Sequence, residues 1–164
     1  MFSLLLSALP VAGSVIANRA AINDPRWKPG VKWQIEIQAP LDQTKPLVPE
    51  DAVVWDVDLF QAQKSGMIRN LLKPANKIVL CYFSAGTVHD AAGDENDPDL
   101  ANFTSVAKGL TYFKFPEEHW INITDPRVLT NMEYRINLAA TLGCDGIDPD
   151  NIDGYKVWFA RLPQ

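Results

Sequence analysis

Gly143-Cys144-Asp145-Gly146-Ile147-Asp148-Pro149-Asp150-Asn151-Ile152-Asp153-Gly154 is the stretch on which the fold turns. In extended backbone Cys144, Gly146, Asp148 and Asp150 share one face, because side chains alternate across a strand. Pro149 has no N–H to give to a ladder, so a strand over Cys144–Asp148 ends about there and Asp150 stands at its rim. Immediately upstream, 126–142 predicts a helix. Asp125 can cap it, Pro126 fits its first turn, and Gly143 follows its end. Its apolar stripe is Val128, Leu129, Met132, Ile136 and Ala139, with Glu133 and Arg135 off the stripe.

Working outward, three more runs have strand composition: Trp33–Ile37, Val53–Phe60 and Lys77–Ser84. A helical pattern over Lys64–Lys73, with Met67, Ile68, Leu71 and Leu72 apolar and Pro74 as its stop, separates two of them. Strands alternating with helices predict right-handed βαβ units and a parallel sheet. Some 60 residues separate Ser84 from Cys144, and Thr87–Glu118 is polar. A long excursion after the C-terminal end of a parallel strand is where ligand-binding loops are built. The competing expectation for it is a disordered acidic insert.

Three strands then deliver polar groups at the same end: Asp56 and Asp58, Tyr82 and Ser84, Asp148 and Asp150. That end is the crevice in which parallel α/β folds bind ligands. Clustered carboxylates repel one another, so one should hold its proton or meet a cation. A network of caps and solvated edges is the structural alternative. Calcium fails as the reason, because the acidic ligand due twelve positions along from Asp148 is Phe159. His89 and His119 have no partner at zinc spacing and read as surface residues. There is no phosphate loop and no Gly-x-Ser-x-Gly around Ser84. Neither a metal nor a cofactor is expected.

The 164 residues allow one domain, and 47% hydrophobic with 21% charged residues is ordinary globular composition. The formal charge of −5 argues against nucleic acid. Residues 1–17 form an uncharged apolar run closing on small residues, which predicts a secretory signal with cleavage after Ala17 or as late as Ala20. No membrane partner is expected after its removal. Asn102-Phe103-Thr104 and Asn122-Ile123-Thr124 are glycosylation sequons that agree with secretion. Alternation puts Cys81 and Cys144 on opposite faces, so both are expected as free buried thiols.

The motifs together resemble glycoside hydrolase family 114, the endo-α-1,4-polygalactosaminidases. They are Trp33–Ile37, Trp55–Phe60, Cys81–Gly86, His119–Ile123, Arg135–Ala140 and Gly143–Tyr155, which place residues 25–155 in the family and leave 156–164 as an unrelated tail. The resemblance implies a (β/α)8 TIM barrel and hydrolysis of polymers of α-1,4-linked galactosamine or N-acetylgalactosamine. It implies catalysis by Asp150, with Asp148 as the next candidate. Asp56, Asp58, Tyr82, Ser84, Trp33 and Glu36 map onto positions lining the sugar site. A TIM barrel needs about 250 residues and eight strands. The chain therefore reads as truncated after about four βα units, without the second catalytic carboxylate. This leaves its activity undecided and its sheet edges open to self-association. The alternative is a non-catalytic, sugar-binding or vestigial secreted protein.

Overall fold

A computed structural model describes residues 24–89, 108–112 and 115–154. The expected signal segment, the sequon at Asn102 and the tail from 156 lie outside the described residues, as does the side chain of His89. The described elements are β1 (Trp33–Glu36), β2 (Val54–Asp58), α1 (Leu59–Ser65), a π-helical turn (Ile68–Leu72) and β3 (Ile78–Ser84). They continue with β4 (Thr87–His89), β5 (Lys108–Tyr112), β6 (Phe115–Ile121), α2 (Pro126–Leu142) and β7 (Gly146–Asp150). The strands form a parallel sheet in the order β1-β2-β3-β7 and an antiparallel sheet in the order β4-β6-β5.

The parallel sheet packs one face against the helices. Trp55, Val57, Val79, Cys81 and Phe83 of that face join Leu59, Phe60, Met67, Ile68, Leu72 and Ala139 in the main core. Burying one such side chain contributes about 1.5–3 kcal/mol, so this layer dominates the stability of the sheet. Asp145 fixes the start of β3, because its Oδ2 accepts from Val79 N at 2.8 Å and from Lys73 Nζ. The other face carries the acidic rows.

Element boundaries differ from the sequence reading where caps outrank periodicity. β2 stops at Asp58 because Asp58 is the N-cap of α1, its carboxyl accepting from Gln61 N at 2.8 Å. The helix therefore begins at Leu59, not Lys64. It ends at Gly66 in the left-handed conformation (φ 69°), before the pattern that suggested it is complete. β7 runs two residues later than expected and includes Pro149. That is tolerated because β7 pairs only with β3 among the described residues, so the missing donor faces away from the ladder.

α2 has the expected bounds and caps, Asp125 accepting from Arg127 N and Gly143 adopting φ 91°. Its buried face is turned from the expected stripe. Val128, Asn131, Arg135 and Ala139 face inward, while Leu129 and Ile136 are 61% and 44% exposed. Arg135 explains the rotation. Its guanidinium lies 5.3 Å from the Phe60 ring and 5.9 Å from the Phe83 ring, and Nη1 donates to the Ser84 carbonyl at 2.6 Å. A guanidinium stacked on aromatic faces packs where a hydropathy pattern would place an aliphatic side chain.

The cysteines are joined, not free: Cys81 and Cys144 form a disulfide with Cα atoms 6.0 Å apart. Strand alternation does not extend to Cys144, which precedes β7. It belongs to the turn after α2, its N–H bonded to Ala139 O, so strand parity does not govern its side chain.

The excursion after β3 contributes the antiparallel sheet. Val88 and Ile121 pack with Val128 in a small second core. His119, expected at the surface, is half-buried in β6. Among the described residues no helix is long and apolar enough to cross a membrane.

Candidate active site

Parallel register sets the site. Ile35, Asp56, Leu80 and Gly146 are neighbours in one row, Asp58, Tyr82 and Asp148 in the next, and Ser84 and Asp150 in the last. These residues share the face turned from the helices and approach the C-terminal strand ends. Trp33 and Ile35 extend the face to the sheet edge, 58% and 53% exposed. Glu36 is not brought into it, because its partner Val57 belongs to the helix-covered face.

Asp56 is 1% exposed and shares a side-chain hydrogen bond with Asp148. Burial, then this bond and the Asp148 charge, push the Asp56 carboxyl up to about 7. Asp56 therefore holds its proton through most of the acidic range, and its Oδ1 has no hydrogen-bond partner. Its folded pKa lies above the unfolded value near 3.8, so the stability it contributes is complete below pH 4 and lost as pH rises through 7. Asp56→Asn is expected to flatten the melting-temperature profile between pH 5 and 8 and to melt higher at pH 8. Scanning fluorimetry across that window checks this; an unchanged slope in the variant would remove Asp56 as its cause.

Asp150, exposed at the rim, has both oxygens engaged. Oδ2 accepts from the Tyr82 hydroxyl at 3.0 Å and Oδ1 from Asn151 N at 2.7 Å. Burial pushes the Tyr82 phenol well above its ordinary value, and the charges of Asp150, Glu118 and Asp58 add to the shift. Tyr82 is thus a permanent donor at neutral pH. Asp58 is pushed up by burial, against the opposing Gln61 and Phe60 N–H groups and the Arg135 charge. One function of its carboxyl is to cap α1.

Ser84 is turned to an internal network. Its Oγ lies 2.5 Å from Thr87 Oγ1 and accepts from Asn151 Nδ2 at 3.0 Å. Thr87 Oγ1 in turn donates to Glu118 Oε2 at 2.5 Å. Sequence reasoning missed Thr87, Glu118 and the role of Asn151. The last was legible as an asparagine suited to φ 59° at a strand end; nothing in the sequence pairs Glu118 with Thr87.

Gly86 brings these parts together. A Cβ there would sit 1.8 Å from the Asn151 carbonyl oxygen. Around it, Ala85 N donates to Asp150 O at 2.8 Å and Ile121 N to Gly86 O at 3.0 Å. Gly86→Ala must push β7's end away from β3. The expected cost is about 2–4 kcal/mol in urea unfolding, and a loss below about 0.5 kcal/mol would contradict so close an approach.

The second sequon lies in the turn before α2, where Asn122 Oδ1 accepts from Thr124 N at 3.1 Å and from its hydroxyl at 2.7 Å. Among the described residues no group of three or more His, Cys, Asp or Glu side chains is arranged to hold a metal ion.

The model of glycoside-hydrolase family GH114 matches residues 16–161. Among solved structures, the chain is similar to Aspergillus fumigatus Ega3 in complex with galactosamine, with 38% identity and a TM-score of 0.65, covering 80% of this chain and 49% of that one. It shares its fold with a variant of the glycoside hydrolase domain of PelA from Pseudomonas aeruginosa, at 14% identity and a TM-score of 0.51, over 77% of this chain and 46% of that one. The chain thus spans about half the length of these structures. No curated protein sequence matches it significantly. The four parallel strands, with polar residues gathered at their C-terminal ends, are those of a TIM-barrel-like fold. Over nearly its whole length, this chain belongs to glycoside hydrolase family 114.

Proposed function

We propose that this chain acts on polymers of α-1,4-linked galactosamine or N-acetylgalactosamine, with Asp150 as the reacting carboxylate. The observation that carries the reading is the Tyr82–Asp150 pair at the strand ends, in a chain 38% identical to a protein solved with galactosamine bound. Tyr82 orients Asp150 while leaving it exposed to a sugar, and Asp56, Asp58 and Asp148 offer acceptors for hydroxyl or ammonium groups. Trp33 and Ile35 supply an exposed apolar shelf alongside. The negative net charge suits a partly deacetylated, cationic chain.

A second reading, sugar binding without cleavage, is favoured by one contact. Glycoside hydrolysis places two carboxyl groups about 5 Å apart or more, on opposite sides of the bond. Asp56 and Asp148 are hydrogen-bonded to each other, too close to straddle a sugar. Release of reducing ends from α-1,4-galactosamine polymer, with calorimetric titration of its oligomers, separates the readings. Cleavage establishes the hydrolase, binding alone establishes the second reading, and neither removes both.

The Cys81–Cys144 disulfide supports a secretory route, since such bonds persist in oxidising compartments. The leader and the two sequons point the same way. N-terminal sequencing of the mature protein tests this; a mature chain that retains residues 1–17 would count against it.

A further inference from the structure

The excursion between β3 and α2 does more than extend the sheet. β4 and β6 place Thr87 against Asn151, just past the end of β7, and Glu118 against Thr87. The chain of contacts is continuous. Glu118 Oε2 accepts the Thr87 hydroxyl at 2.5 Å, and Thr87 Oγ1 accepts from Asn151 Nδ2 at 3.2 Å. Ser84 Oγ accepts from the same amide at 3.0 Å and from Thr87 N at 3.1 Å. Asn151 then donates its backbone N–H to Asp150 Oδ1 at 2.7 Å. Asn151 has φ 59°, a conformation that asparagine tolerates but does not prefer, so its own backbone does not hold that N–H in place. The planar peptide that carries it is held at the Asp150 carbonyl by Ala85 N at 2.8 Å, and on the Asn151 side by the fixed amide side chain. From behind, Arg135 Nη1 holds the Ser84 carbonyl at 2.6 Å, which ties the network to the helix layer.

We propose that Thr87 is a positioning residue for Asp150: its hydroxyl, oriented by Glu118, fixes the Asn151 amide and thereby the backbone N–H that Asp150 accepts. Thr87 is 1% exposed, so it acts through the groups it touches, Asn151 and Ser84. Glu118 sets the direction of the relay. A carboxylate only accepts, so the Thr87 proton is committed to it, and the two Thr87 lone pairs accept from the Ser84 hydroxyl and the Asn151 amide. The antiparallel sheet is therefore a brace for the reacting carboxylate as well as a wall beside it. This inference rests on the reading of Asp150 as the reacting group.

The test uses the full chain and a readout independent of cleavage. In wild type, the Asn151 amide proton is expected to exchange slowly with solvent. Thr87→Val keeps the shape of the side chain and removes the hydroxyl. It should speed exchange at the Asn151 amide about tenfold or more, while Thr87→Ser restores slow exchange. Should Thr87→Val not fold, Asn151→Gly keeps the backbone conformation without the side-chain amide, and exchange of the residue 151 N–H should quicken in the same way. A folded Thr87→Val protein with wild-type behaviour at Asn151 would overturn the proposal. So would equal loss in the valine and serine variants, which would assign the effect to packing. Failure of the underlying reading looks different: Asp150→Asn would then keep full cleavage or binding whatever Thr87 does.

Discussion

Asp150→Asn is expected to reduce release of reducing ends from α-1,4-galactosamine polymer by about a thousandfold or more. The substitution preserves size, and the amide oxygen can still accept from the Tyr82 hydroxyl, so the rim keeps its shape. On the proposed function, what is lost is the negative oxygen that would attack the sugar or stabilise its developing positive charge. Oligomer affinity should fall far less than the rate, because Asp58, Asp148 and the Trp33 shelf remain. Asp148→Asn serves as the contrast. Asp148 is half-buried and bonded to Asp56, whereas Asp150 is exposed at the rim. Its replacement is expected to cost about ten- to a hundredfold by disturbing the pair. If Asp148→Asn proves the more damaging, the roles of the two carboxylates are reversed. Reducing-end assays on both variants, with matched calorimetry, decide the order.

Removing the Cys81–Cys144 disulfide, by Cys81→Ala with Cys144→Ala, is expected to cost about 4 kcal/mol of stability. The bond spans 63 residues, and the cost of closing so long a loop falls on the unfolded chain. It links the middle of β3 to the turn that launches β7, so both strands bearing the Tyr82–Asp150 pair depend on it. Urea unfolding with and without reductant measures the effect, and the midpoint should fall by about 10 °C or more in a thermal scan. A loss under about 1 kcal/mol would mean that the unfolded chain is already restricted in this region.

Much of the fold was legible in local chemistry. α2 follows from Asp125, Pro126 and Gly143, and its bounds match the caps. The parallel pairing of β2, β3 and β7 follows from strands alternating with helices, whereas among the described residues no helix separates β1 from β2. Periodicity misled where a polar residue had a structural duty. Asp58 ended β2 by capping α1, and Arg135 displaced the expected apolar stripe by stacking on Phe60 and Phe83. The disulfide is not legible from strand parity, because Cys144 lies before the first residue of β7. The acidic face itself could be read from alternation alone, which put Asp56, Tyr82, Asp148 and Asp150 together. Its division of labour could not. The proton on Asp56 depends on burial and on a neighbour two strands away, and the Thr87–Glu118 contact joins residues brought together only by the antiparallel sheet.

The bond between Cys81 and Cys144 also governs what happens when the chain is cut. Every peptide bond from Tyr82 to Gly143 lies inside the loop it closes. A protease that nicks the chain once there leaves two fragments still covalently joined. The nicked protein keeps its mass until a reductant is added and only then separates into two pieces. In an oxidising, protease-rich surrounding, such a cut would leave Tyr82 and Asp150 tethered within one molecule.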